Sequence, residues 1–376
     1  AFLAFISTTL FAKVKLPGVL ADNMVLQQQS QVKLWGEAKP GSIVNIKPSW
    51  AKRSYSTTTG KDGKWIQQIT TPVAGGPYEI TFNDGEKTTL KNILIGEVWF
   101  CSGQSNMEMP VQGFDRQPVN NIQDILIKAK KEVPIRFCNI PRITAKTPQS
   151  DCETRWEEHT PEGVARASAT AYFFAKYLNE VLDVPIGLII SNWGGSKVEP
   201  WMSIEALTPF KDEVDDKPVG PKQVLPGVLY NAMISPVINY TIKGMIWYQG
   251  ESNRGQEELY GRLMPAFVKD LRQKWGLGDF PFYYVQIAPF QYDGVDKTSS
   301  AKLREVQLRN MNEIPNSGMA VTLDIGEKTK IHPAEKEKVG NRLAYWALAK
   351  TYNKNNFGYS GPIYKSIEIK GNKIYV

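Results

Sequence analysis

The chain has 376 residues, 42% hydrophobic and 22% charged, which is ordinary globular composition and long enough for more than one domain. Its formal net charge of +7 is spread along the sequence without a run of five or six Lys/Arg, so the clustered basic stripe of a nucleic-acid binder is absent. No segment after the first dozen residues approaches the roughly 18 uncharged apolar residues of a membrane helix. The three cysteines and two histidines do not fall at zinc-ligand spacing, so no metal, cofactor, membrane span or obligate protein partner is expected.

Residues 1–12 are apolar and end in the small residue Ala12. They read as the remnant of a signal peptide, which implies a secreted or periplasmic protein; the competing reading is a short buried strand. From Val14 to about Leu94 the pattern is β, with runs at 31–35, 43–46, 54–58, 65–69, 78–82 and 88–93. Turn signals such as Lys61-Asp62-Gly63 and Asn83-Asp84-Gly85 separate them. Short strands at this even spacing predict a small all-β sandwich domain over residues 13–95.

The pattern changes at residue 95. Residues 95–101 form a nearly continuous apolar run, as a fully buried parallel strand does. Helices are predicted around 119–131, 166–182, 257–274, 301–312 and 336–350, and core strands at 185–190, 242–247, 282–287 and 319–323. Strands alternating with helices predict an α/β unit over residues 96–352, with a parallel sheet covered on both faces. Residues 353–376 return to β character and read as the start of a truncated C-terminal β region. Cys138 and Cys152 are the pair that an oxidising compartment would join, though nothing in the sequence requires it. Cys101 is the third cysteine.

In open parallel sheets functional groups gather at the carboxyl ends of the strands. Four such ends are rich in glycine and polar residues. The first, Cys101-Ser102-Gly103-Gln104-Ser105-Asn106-Met107-Glu108, presents a serine in a tight turn after a buried strand, with Gly103 allowing the backbone to bend. On its own this reads more readily as an ordinary strand-to-loop turn, because the Gly-x-Ser-x-Gly elbow is missing. The second, Asn192-Trp193-Gly194-Gly195-Ser196, leaves backbone N–H groups free to approach a developing oxyanion. In the third, Trp247-Tyr248-Gln249-Gly250-Glu251-Ser252-Asn253, Gln249 has a side-chain N–H to donate to the same oxyanion and Glu251 is placed to brace the loop. The fourth runs from Leu323-Asp324-Ile325-Gly326-Glu327 to Ile331-His332-Pro333. A serine nucleophile needs a base, and histidine is the usual one near neutral pH. His159 lies in a polar segment and reads as a surface residue, which leaves His332.

Taken together these segments resemble the sialate O-acetylesterases, a branch of the SGNH hydrolases related to the acetylxylan esterases. The stretches that carry the resemblance include Leu20-Ala21-Asp22-Asn23-Met24-Val25-Leu26-Gln27 and Gly103-Gln104-Ser105-Asn106-Met107-Glu108. Trp193-Gly194-Gly195-Ser196, Trp247-Tyr248-Gln249-Gly250-Glu251-Ser252-Asn253 and Ile331-His332-Pro333 complete it. The resemblance implies an SGNH-type three-layer α/β/α sandwich with a parallel sheet. It implies Ser105 as nucleophile, His332 as base, and an oxyanion hole from the Ser105 N–H, Gly194 or Gly195, and Gln249. The family often has an Asp two residues before the His, and SGNH enzymes generally three before; here those positions hold Lys330 and Thr329. Asp324 or Glu327 is a substitute from the same loop, with Asp324 taken as the third catalytic residue; a Ser–His dyad braced by a backbone carbonyl is the alternative. Trp193, Trp201 and Tyr248 are the aromatic faces expected to stack on a sugar, with Trp247 nearby.

The expected function is hydrolysis of O-acetyl esters on a carbohydrate, sialate first and acetylxylan or another hemicellulose second. A reading from another class, a non-catalytic carbohydrate-binding protein on an esterase fold, draws on the missing Asp before His332 and on the N-terminal β region.

Overall fold

The structure is a computed structural model that describes residues 13–292 and 298–376. The expected signal-peptide remnant at 1–12 lies outside the described residues. Six strands come first: β1 (Val25–Gln27), β2 (Gln31–Glu37), β3 (Ile43–Pro48), β4 (Tyr55–Thr58), β5 (Lys64–Thr70) and β6 (Gly75–Asn83). Their side chains alternate as half-buried strands must. In β3, Val44 and Ile46 point inward while Ile43, Asn45 and Lys47 face out. β2 and β5 form an antiparallel pair, and β3 joins β4 and β6.

β7 (Lys87–Gly103) is a single strand of 17 residues. Its first part pairs antiparallel with β6; from Ile93 to Gly103 every residue is buried. The expected division at residue 95 therefore falls inside one strand. Beyond it come α1 (Ser105–Glu108), α2 (Ile122–Lys128), β8 (Ile135–Asn139), β9 (Trp156–Glu157), α3 (Pro161–Arg166), α4 (Ala169–Leu182) and β10 (Ile186–Asn192). The chain continues through α5 (Ile204–Leu207), β11 (Gly244–Tyr248), α6 (Glu257–Trp275), β12 (Phe282–Val285), α7 (Ser299–Glu313), β13 (Ser317–Ala320) and α8 (Lys336–Lys350). A terminal hairpin of β14 (Glu368–Lys370) and β15 (Lys373–Tyr375) is exposed.

The result is a mixed α/β fold with one large mixed sheet. Its main path runs β13-β12-β11-β7-β10-β8-β9, parallel throughout except for the β8–β9 edge. Strand alternation sorts the two faces. Val98 and Phe100 pack with Phe267, Leu271 and Trp275 of α6, whereas Trp99 and Cys101 pack with Phe174 of α4 and Leu343 of α8. The α6-side core continues without a break into Val32, Val44 and Phe82 of the N-terminal strands. Tyr240 joins the two regions: its hydroxyl donates to Val25 O at 2.7 Å and its carbonyl accepts from Trp275 Nε1 at 2.9 Å.

Local chemistry sets the helix ends. The predicted helix at 166–182 begins at Ala169, because Ser168 caps it by accepting the Ala171 N–H at 3.2 Å. The turn before it is a separate helix, α3, with Thr160 as cap and Pro161 in its first turn. The predicted strand at 319–323 stops at Ala320, and Thr322 Oγ1 instead donates to Gln286 O at 2.6 Å. His159, expected at the surface, is buried 5.8 Å from the Tyr172 ring and 6.3 Å from Phe137. Its polar neighbours are neutralised by pairing, Glu157 with Arg166 and Glu158 with Arg136. All three cysteines are free and buried. Among the described residues no helix is long and apolar enough to cross a membrane, and no cluster of His, Cys, Asp and Glu has the form of a metal site.

Phe100 lies 5.1 Å from the Trp275 ring and is fully buried where β7 meets α6. Replacing it with alanine should cost about 3–5 kcal/mol, the usual range for a buried aromatic. Urea denaturation should report this as a fall in midpoint with little change in slope.

Candidate active site

The carboxyl end of β7 is held between two neighbours. Gly103 pairs with Asn192 of β10 on one side and with Tyr248 of β11 on the other. Its φ is +146°, and a Cβ there would fall 2.1 Å from Tyr248 O, so only glycine fits. Two residues later Ser105 opens α1, whose first N–H groups have no partner within the helix. Gly194 lies against it: a Cβ on Gly194 would sit 3.2 Å from Ser105 Cβ. The Gly194 N–H donates to the Glu108 carboxylate, which also binds Arg142. Gly195 has a left-handed φ of +72° and faces solvent, with open space where a Cβ would stand.

Asn106, fully buried, ties this turn to the loop that carries His332. Its Nδ2 donates to Ile331 O at 3.1 Å and to Glu251 Oε1 at 2.7 Å. Glu251 thus braces the loop after β11 through a side-chain amide. His332 is partly buried, its ring 5.2 Å from Phe114 in an edge-on contact. Its Nδ1 lies 2.7 Å from Gln117 Oε1, and it makes no hydrogen bond with Ser105 Oγ among the described residues. An amide oxygen there selects the tautomer protonated at Nδ1 and leaves Nε2 as the basic atom. Burial, followed by the charge on Lys336, holds the imidazole pKa down to about 4.

Several expected site residues stand elsewhere in the network. Asp324 does not reach His332: both its oxygens are held by Arg342 at 2.6 Å, and that pairing lowers its pKa to about 2. Glu327, the other substitute, accepts the Ala334 N–H at 2.9 Å and pairs with Lys330. Gln249 has its Nε2 engaged by protein acceptors, donating to Asn253 Oδ1 at 2.8 Å and to Ser196 O at 3.3 Å. The Glu199 carboxylate dictates this orientation. It accepts from Asn253 Nδ2 at 3.0 Å, so Asn253 presents only its oxygen to Gln249.

Trp201 and Tyr248 are core residues with no exposed face. Trp201 donates its Nε1 to Ser196 Oγ at 2.9 Å and stands edge-on to Trp247. Trp193 is half-buried and remains the aromatic open to a ligand. A cleft of about 640 Å³ opens elsewhere, between Trp35, Trp65 and the segments 148–151 and 235–239, and no candidate site residue lines it. Gln117 stands 215 positions before the histidine it faces, and no local sequence pattern marks it as a site residue.

Residues 95–349 match the family model for carbohydrate esterases described as sialic acid-specific acetylesterases. The chain belongs to this family. It is 30% identical over 393 aligned positions to the sialate O-acetylesterase of Homo sapiens, covering 94% of this chain and 74% of that protein. The sialate O-acetylesterase of Mus musculus is 28% identical over 410 positions, covering 92% and 75%. A crystal structure of a carbohydrate acetylesterase from Xanthomonas citri superposes with a TM-score of 0.87 at 32% identity, covering 96% of this chain and 80% of that one. Family membership makes this chain a carboxylic-ester hydrolase, and the serine turn, its glycine neighbour and the histidine loop all lie inside the matched region.

In this esterase Asp324→Asn should leave kcat/KM for an acetyl ester within about twofold of the parent. An aspartate that braces a catalytic imidazole costs about 10⁴-fold when changed to asparagine. Steady-state kinetics of the purified variant separate the two outcomes.

Proposed function

We propose that this protein is a carbohydrate O-acetylesterase that removes acetyl groups from sialic acid through an acyl-enzyme on Ser105. The observation that carries the proposal is the Asn106 link, which sets the His332 loop beside the serine turn although the two are distant in sequence. Ser105 Oγ attacks the ester carbonyl while His332 Nε2 takes its proton. The imidazolium then protonates the departing sugar oxygen, which leaves as the alcohol, and water activated by Nε2 hydrolyses the acetyl-serine. Apo geometry does not need a formed Ser–His hydrogen bond, since such contacts often tighten only with substrate.

Gln117 takes the orienting role of the missing carboxylate. It fixes the tautomer but brings no charge to stabilise imidazolium. The Ser105 N–H and the Gly194 N–H are the oxyanion donors, with the substrate oxygen displacing Glu108 from Gly194. Each such donor is worth about 2.7–4 kcal/mol in the chemical step. Trp193 offers a face to the sugar. The sialate preference rests on the named activities of the human and mouse relatives. The helices on the two sheet faces support an SGNH-type three-layer α/β/α unit, the strands of 13–95 support a small β-sandwich before it, and the apolar stretch at 1–12 supports an exported protein.

Ser105→Ala should abolish acetate release from O-acetylated sialic acid, with acetylxylan assayed in parallel as the competing substrate. Parent-level activity in that variant removes the mechanism. A serine-reactive phosphonate should label the parent at Ser105, and failure to label favours a binding protein. Because protonation disables the base and its pKa is held near 4, kcat/KM should stay flat down to about pH 5 and fall about tenfold per unit below pH 4. A stopped pH series on a neutral acetyl ester measures it, and a midpoint above 6 contradicts this.

A further inference from the structure

Lys336 is the first residue of α8, and it is fully buried. Both facts run against ordinary preference. Cations are disfavoured at a helix N-terminus by the macrodipole, and a buried ammonium group must be compensated. Nothing about the packing of α8 asks for a lysine there, since its buried neighbours Val339, Gly340 and Leu343 are apolar. The compensation lies in the active site. Lys336 Nζ donates to Asn106 Oδ1 at 2.6 Å and sits 5.7 Å from the Tyr248 ring centroid.

The Asn106 amide therefore has every polar atom engaged: Oδ1 by Lys336, Nδ2 by Glu251 and by Ile331 O. Its orientation is dictated, because an ammonium only donates while a carboxylate and a carbonyl only accept. One side chain next to Ser105 thus meets the residue before His332, the loop after β11 and the start of α8. If Lys336 were absent, Asn106 Oδ1 would be a buried acceptor without a donor, and the amide would be free to turn and release the Ile331 carbonyl.

We infer that Lys336 is a positioning residue of the esterase reaction, clamping Asn106 so that the Ser105 turn and the His332 loop keep their spacing, and placing a positive charge beside the base. This rests on the reading of Ser105 as nucleophile and His332 as base. The charged and titratable groups around the clamp are few. Glu251 and Glu327 face Lys336 with opposite charge, Tyr248 from β11 presents its ring, and Arg254 acts on Glu251. His332 sees Lys336 as its charged neighbour and Gln117 and Phe114 as neutral ones. In the adjoining turns Lys330 pairs with Glu327, and Glu335 pairs with Lys338 and Asn120. The clamp carries its full charge in mild acid, since burial brings the lysine pKa down only to about 7. That is the range in which an imidazole would otherwise begin to protonate, and the nearby cation opposes that protonation.

The experiment compares Lys336→Met, which keeps the length and apolar stem, with the parent in two measurements. The first is kcat/KM for a neutral acetyl ester from pH 3.5 to 8. The expected result is a drop of roughly 10–100-fold at pH 7, as a small misplacement of a reacting pair can cause, with the acid limb moved upward by about one pH unit. The second is an NMR titration of the histidine ring signals in the Ser105→Ala background, where the chain's two histidines make assignment simple. The His332 midpoint should rise with Lys336→Met while His159 keeps its own. A folded Lys336→Met protein whose acid limb and His332 midpoint match the parent overturns the inference. If Lys336→Met does not fold, Lys336→Gln, which retains a donor for Asn106 without the charge, gives the same reading: a raised His332 midpoint supports the inference and an unchanged one overturns it. An active Ser105→Ala protein would instead sink the nucleophile assignment itself, so the two failures are distinguishable.

Discussion

The candidate active site depends on how tightly the end of β7 is enclosed. Parallel neighbours on both sides leave the strand no freedom of register, and the Tyr248 carbonyl leaves no room for a side chain at Gly103. The chain must turn there, and it turns into Ser105. The neighbouring strand ends supply what surrounds the serine: β10 leads into Trp193 and Gly194, and β11 leads into Glu251. Sheet geometry thus does most of the assembly before any polar contact forms. The polar contacts then fix the remaining freedom, chiefly through the fully engaged amide of Asn106.

His332, the proposed base, has an unusual electrostatic setting for a serine esterase. A carboxylate beside the second imidazole nitrogen would stabilise the imidazolium and make Nε2 more basic. Here that nitrogen faces a neutral amide, and the nearest charge is a cation. Burial first, and then that cation, favour the neutral ring. The cost is a smaller driving force for taking the serine proton at neutral pH, since base strength and availability trade against each other. The gain is a proposed base whose imidazole pKa is held down to about 4, so that it stays neutral into the acid range.

Much of this is readable from residues. The abrupt switch from apolar runs to glycine and polar residues marks the strand ends, and α8 spans the predicted 336–350 because its apolar period is regular and its ends are charged. The missed strand β8 carries Arg136 in a buried position, tolerated only because Glu158, distant in sequence, neutralises it at 3.1 Å. The same long-range pairing hides the burial of His159. Gln117 and Lys336 are invisible in the sequence for a related reason: each acquires its role from a contact more than 200 positions away. Trp201 and Tyr248 look like sugar platforms by proximity in sequence, but each is enclosed by the core. The gap between Asp324 and His332 follows from Arg342, in the second turn of α8, which captures the carboxylate first.

The Tyr240 junction also bears on how the molecule can come apart. Since β7 belongs to both regions and one apolar core runs from Val32 to Phe282, the N-terminal strands are not an appendage hung on a linker. Removing them would strip one flank from the α6 side of the sheet and uncover Tyr240, whose ring packs edge-on to Trp35 and whose hydroxyl is bonded to Val25 O. Heat or denaturant should therefore melt both regions in one cooperative step.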